Sequence, residues 1–338
     1  MRNEQLSLFG DAELVDPAPV DPALRSLGEA LPPRIHLGTS SWSFPGWTGL
    51  VYAAHNGRPP AEQAVARHGL SAYAAHPLFR TVSLDRTFYA PLAEEAFARY
   101  AAQVPDHFRF VVKAPAAITD PVIRVPGSGE AARENPTFLD AAAATAAFVR
   151  PCVAGLGPKA GPLVFQFPPL GRRLLADVPR LAARIAAMIA LLPRGPLYAV
   201  EVRDPQLARG SLAMLLARAG AVPCLAIHAR MPPVDEQADL LGLAGSADRR
   251  PLVVRWNLHA GHDYAAAKAA YFPFDRLVEE DPASRAALAR LARAAVAADR
   301  DVFITVNNKA EGSAPWSVRK LAAAILGRDD CSPPGRSP

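Results

Sequence analysis

The eight residues from Leu197 to Asp204, LYAVEVRD, decide how the rest of the chain is read. Gly195-Pro196 punctuates their start, and Leu197, Tyr198, Ala199, Val200 and Val202 form a short apolar run suited to a buried strand. Side chains alternate along a strand, so Glu201 and Arg203 share one side, toward whatever the strand helps to enclose. A carboxylate in such a place costs free energy unless it is paired or used. The residues allow two readings: an ion pair closing the strand end, and part of a site.

The same punctuation recurs outward in both directions. Residues 35–38, 79–85, 108–113, 162–167, 197–202, 222–228, 251–256 and 301–307 all read as strands, several of them apolar almost throughout, as parallel strands covered on both faces should be. Helical stretches lie between them at residues 62–76, 92–103, 138–149, 174–192, 206–219, 285–298 and 315–326, with a weaker one at 235–241. Eight strands alternating with helices predict a (β/α)8 TIM barrel over residues 34–327, with an open doubly wound sheet as the alternative. Residues 1–33, rich in proline and acidic side chains, are expected to be a disordered tail, and residues 328–338 a second one.

Half of the 338 residues are apolar, enough for a large core. The formal charge is +5, and three arginines against six acidic residues before Ile35 leave the remainder more basic than that figure suggests. This fits an anionic ligand or an arginine-rich composition. Cys152, Cys224 and Cys331 are far apart and form no CxxC pair, which argues for a reducing compartment and against a cysteine zinc site. No apolar run is long enough to span a membrane, and the N-terminus lacks signal-peptide order, so the expected location is cytoplasmic, without membrane contact.

One piece of the tail differs from its surroundings. Gln5, Leu6, Ser7, Leu8 and Phe9 place three large apolar side chains where no local core receives them, as a peptide anchor for another protein's groove would. QLSLF resembles the pentapeptide with which bacterial replication and repair proteins dock on the DNA sliding clamp. A chance apolar patch, or a tail folded back on the body, is the competing reading.

In a barrel the site lies where strands end at their carboxyl side. Those ends here carry Thr39, Ser40 and Trp42, then Asp85, Lys113, Gln166, Glu201 with Arg203, His228, Arg255 with Asn257, and Asn307 with Asn308. The amino-terminal ends start mostly with proline, leucine or aromatic residues, and this asymmetry is the argument for a site. Asp85 and Glu201 suit an acid and a base if their environments separate them. Lys113, Arg203 and Arg255 suit phosphate or carboxylate groups. Trp42 and Tyr89, with Phe44, Trp47 and Phe88, suit an apolar or stacking wall, and Gln166, Asn307 and Asn308 suit hydroxyls or amides. Core packing for the tryptophan, and chain turning for the asparagines, are the structural alternatives. Among metal-capable residues, His259, His262 and Asp263 follow the seventh strand, and His228 and Glu201 have suitable atoms, but no spacing fixes their direction. A divalent metal is therefore the less favoured cofactor reading.

The segment GTSSWSFPGW (38–47) resembles the opening signature of the domain of unknown function 72 family. Further matches follow in family order: Thr81-Val82, Thr87 to Tyr89, PDHFRFVVK at 105–113, Thr119, FQFPP at 165–169, AVEVRD at 199–204, Val254-Arg255, and VNN with Gly-Ser-Ala-Pro downstream at 306–315. The resemblance runs from about Ile35 to Leu326 and implies a TIM barrel with no established activity. The chain departs from the family pattern where Ser83-Leu84-Asp85 replaces a Glu-x-Asn and Asp120 replaces a histidine, so a carboxylate has either moved along its strand face or been lost from the site. The resulting expectation is an enzyme, in the manner of a phosphoesterase or nuclease, acting on a phosphorylated or nucleic-acid-derived substrate at the barrel mouth. The alternative is a non-catalytic module that binds an anion or single-stranded nucleic acid.

Overall fold

The computed structural model describes residues 15–125, 130–243, 249–259 and 262–328. Its strands are β1 (Ile35–Thr39), β2 (Thr81–Leu84), β3 (Arg109–Lys113), β4 (Val122–Arg124), β5 (Ala131–Glu134), β6 (Ala160–Gln166), β7 (Tyr198–Glu201), β8 (Ala221–Ile227), β9 (Leu252–Trp256) and β10 (Val302–Val306). Eight of them close into a parallel barrel in the order β1-β10-β9-β8-β7-β6-β3-β2, while β4 and β5 form a separate antiparallel hairpin. All eight expected strands are present, and the closed sheet removes the open-sheet alternative.

The alternation of side chains sorts the barrel interior into levels. Val111, Val164, Ala199 and Val253 lie two residues before Lys113, Gln166, Glu201 and Arg255, and so share their faces. With Val222, Cys224 and Phe303 they form a compact apolar plug, separate from the larger core between strands and helices. The charged side chains stand one pleat above it, and the plug gives them a dry floor. Gly38 lets β1 and β2 approach: a Cβ there would sit 1.8 Å from the carbonyl oxygen of Thr81.

The helices depart from expectation in detail. The stretch expected at 174–192 is divided into Arg172–Leu175 and Val178–Ala190, and that at 206–219 into Pro205–Ala208 and Leu212–Arg218. The β4–β5 hairpin and a helix at Tyr264–Tyr271 were not anticipated. The largest correction concerns the N-terminal tail. Pro22–Ala30 is a helix whose first turn uses proline, with Asp21 accepting from the Leu24 amide at 2.7 Å. Leu24, Leu27 and Leu31 are buried, and the Arg80 guanidinium donates to the carbonyls of Gly28, Leu31 and Pro32. Proline density that reads as disorder is here partly helix initiation. The segment from Val15 to Pro33 therefore belongs to the folded body, whereas Gln5 to Phe9 lie outside the described residues, as does the C-terminal stretch after Arg328. No helix among the described residues is long and apolar enough to cross a membrane.

Candidate functional site

The centre of the mouth is Arg255, at the end of β9 and 2% exposed. Its Nη1 donates to Glu201 Oε2 at 2.8 Å, and its Nη2 donates to both oxygens of Asp85, at 2.8 and 2.6 Å. Arg203 Nη2 pairs with the other Glu201 oxygen, Oε1. Glu201 is fully buried between the two guanidinium groups. Burial alone would raise its pKa, but Arg203, Arg255 and Lys113 outweigh burial and hold it below the ordinary carboxylate value. Burial would likewise strip Arg255 of its proton, yet Asp85 and Glu201 hold it more firmly charged than a free arginine. The buried, ionised Glu201 is thus a positioning group for two arginines, and has no exposed surface on which to exchange protons with a substrate.

Asp85 opens the short turn Asp85–Phe88 after β2, and its side chain is 34% exposed. Ser83 Oγ donates to its Oδ1 at 2.7 Å. The departure from the family pattern therefore keeps a carboxylate at the mouth, with the serine that precedes it serving as its hydrogen-bond donor.

Lys113 is the exception in this paired set. Three cations, Lys113, Arg203 and Arg255, face two carboxylates, Asp85 and Glu201, so one positive charge is left over. Lys113 Nζ lies 3.5 Å from the centre of the Phe88 ring, and among the described residues no carboxylate is within ion-pair distance of it. A cation over an aromatic face gains about 2 kcal/mol when desolvated, but the ring carries no net charge and does not neutralise the ammonium. Burial therefore brings the pKa of Lys113 down from 10.5 to about 8, against the pull of Asp85. Thr87 Oγ1 donates to the Lys113 carbonyl at 2.5 Å, tying the turn that carries Phe88 to the strand that carries the lysine.

The remaining expected residues divide. Asn307 faces the mouth, donating to Ser40 Oγ at 2.7 Å and accepting from Lys309 Nζ at 3.3 Å. Gln166 is paired in register with Glu201 and is 8% exposed. Trp42 is buried and helps line a cavity of about 260 Å³ with Ser40, Ser83 and Asp85. Tyr89 stands at the rim, 86% exposed, edge-on to Phe88. Asn308 belongs to the scaffold: its Oδ1 accepts from Trp47 Nε1 at 3.2 Å and from the Ala314 amide at 2.8 Å, and it is 1% exposed. Lys309 was missed. Its Nζ lies 4.2 Å from the Tyr264 ring centre, and burial lowers its pKa to about 8. The signal was its place in VNNK directly after β10, next to two residues that were singled out.

Of the residues weighed for a metal, Glu201 is committed to its arginines and Asp263 caps the Tyr264–Tyr271 helix, accepting from the Ala266 amide at 2.8 Å. Burial lowers the His228 pKa to about 4, so its imidazole is neutral. His259 and His262 do come together, joined by Glu279, with one ligand atom of each within 4.8 Å of the others.

This geometry sits on a chain whose residues 36–336 match the family described as protein of unknown function DUF72. The chain belongs to the DUF72 family. Solved DUF72 proteins share its fold: one from Enterococcus faecalis has a TM-score of 0.57 at 16% identity, covering 90% of this chain and all of its own. Another, from Thermotoga maritima, has a TM-score of 0.54 at 18% identity, covering 87% of this chain and 99% of its own. At such identities the likeness shows the DUF72 barrel alone. A comparison with curated proteins finds no match.

Proposed function

We propose that this DUF72 protein is an enzyme that acts on an anionic substrate, phosphorylated or derived from nucleic acid, at the carboxyl-terminal mouth of its barrel. The observation that carries the reading is Lys113, a half-buried ammonium without a carboxylate partner beside a network in which Arg203, Arg255, Asp85 and Glu201 are all paired. Lys309, held by Asn307 and the Tyr264 ring, is a second ammonium of this kind among the described residues. In this reading the anionic group of the substrate supplies the missing partner, and Arg203 and Arg255, held by Glu201 and Asp85, keep the floor rigid and positive. A lysine with a pKa of about 8 releases and regains its proton near neutral pH, which general acid or base work requires. Asp85, unlike the fully buried Glu201, is partly exposed and so within reach of a substrate at the mouth.

One observation favours the alternative, a binding module for an anion or single-stranded nucleic acid: Arg255 engages both carboxylates and leaves neither free as a base. Turnover separates the two. The enzyme reading expects release of phosphate or cleaved product from a panel of phosphomonoesters, phosphodiesters and short single-stranded oligonucleotides, abolished in Lys113→Met. Binding of the same compounds without turnover in the wild type would support the module instead.

The proposal extends to a cytoplasmic protein recruited to DNA through Gln5 to Phe9. Purified bacterial sliding clamp is expected to retain the full chain and to lose most of it on Leu8→Ala/Phe9→Ala substitution. Equal retention of the two proteins would remove the clamp as a partner.

A further inference from the structure

His259 and His262, in the loop after β9, and Glu279, seventeen residues beyond His262, converge beside the mouth. The imidazole Nε2 of His262 lies 3.2 Å from each oxygen of Glu279, and the two histidine rings meet edge to face with centroids 4.9 Å apart. Donor atoms around a tetrahedral ion bound at about 2.0–2.1 Å are about 3.3 Å apart. One edge of the triangle already has this length, and with all three ligand atoms within 4.8 Å the others need only side-chain rotation.

We propose that His259, His262 and Glu279 bind a divalent transition metal, with a fourth position open toward solvent. Imidazole and carboxylate donors in a two-to-one ratio suit zinc, cobalt or ferrous iron rather than magnesium or calcium. The carboxylate is supported as metal-bound carboxylates are: Tyr271, 2% exposed, donates its hydroxyl to Glu279 Oε2 at 3.1 Å. Both arms of the site are hung on the segment after β10. The His259 amide donates to the Lys309 carbonyl at 2.9 Å, and the amides of Val278 and Glu279 donate to the Glu311 carbonyl at 2.8 and 3.2 Å. An ion pair between His262 and Glu279, with side chains 33% and 48% exposed, would by itself contribute little to stability. It would not account for the second histidine or the buried tyrosine brought to the same point. The proposal stands apart from the role given to Lys113, because its readout is metal binding and not turnover.

The test uses the full, tag-free chain stripped of metal with a chelator and titrated with Co2+. The expected result is one Co2+ per chain, with visible absorption of a tetrahedral or five-coordinate ion that Zn2+ displaces. His262→Ala and the isosteric Glu279→Gln, both at partly exposed positions, should lower the affinity by at least about tenfold while leaving the circular dichroism spectrum intact, and Tyr271→Phe should lower it by less. Zn2+ should raise the melting temperature of the wild type and not of His262→Ala. Absence of the visible bands, or equal affinity in wild type, His262→Ala and Glu279→Gln, would overturn the proposal.

Discussion

Arg255→Met is expected to lower the stability of the protein by about 3–5 kcal/mol, the cost of breaking a buried ion pair by removing one partner. Methionine has similar length and no charge, so the plug below stays covered, but Glu201 keeps only Arg203 and Asp85 loses both its guanidinium bonds. For a domain of this size the melting temperature should fall by roughly 5–15 °C at neutral pH. The sign of the pH dependence gives a second check. In the wild type the Glu201 pKa lies below 4.5, so its contribution to stability is full above 4.5 and is lost as pH falls through the lower folded-state value. The variant has less of that contribution to lose, so its deficit should shrink in acid. Arg255→Lys keeps the charge but has no fork to reach two carboxylates at once, and should recover only part of the loss.

Lys113→Met should change stability in the opposite direction while abolishing function. The folded-state pKa of Lys113, about 8, is below its ordinary 10.5, so the unfolded chain binds the proton more tightly and the charged lysine costs stability at neutral pH. Removing it should stabilise the fold by about 1–2 kcal/mol at pH 7, a figure reduced to allow for its partial exposure. The gain should be full below about pH 8 and disappear toward pH 10.5, where neither state of the wild type holds the proton. Thermal melts at pH 7 and pH 10 measure the difference directly. Turnover on whichever panel substrate the wild type accepts should fall by at least about a hundredfold, the usual contribution of a positioned acid or base. A protein stabilised and inactivated by one substitution is what a group kept for function at a cost to folding looks like. Lower stability in Lys113→Met would mean that the lysine is a structural cation whose partner is the Phe88 ring.

The barrel was legible because parallel strands covered on both faces must be apolar nearly throughout, and short runs such as PLVVRW and DVFITVN, set apart by turn residues and helical stretches, leave few other folds. The mouth was legible for a related reason: Asp85, Lys113, Glu201 and Arg255 all stand where an apolar strand abruptly ends in charge. Which charge meets which was not. Arg255 joins carboxylates 170 and 54 positions away, and its choice depends on the barrel's closure and on side-chain length, neither of which any local pattern records. The same limit hid Glu279, drawn to the histidines by the anchoring of its backbone on Glu311. Asn308 resembled its neighbour Asn307 in sequence, yet Asn307 caps the short helical turn Asn308–Ala310 after β10 and reaches Ser40, while Asn308 opens that turn and reaches Trp47 and the Ala314 amide. The N-terminal helix was obscured because proline signals disorder by its frequency and helix initiation by its position, and only packing against Arg80 and the barrel decides between them.

The most direct test of Lys113 as the unpaired working cation is an NMR titration of its side chain, assigned by comparison with Lys113→Met and recorded with and without inorganic phosphate. The account predicts a midpoint near 8 for the free protein, moving upward when phosphate supplies the missing negative charge. A midpoint at the ordinary value of 10.5 that phosphate does not move would contradict it.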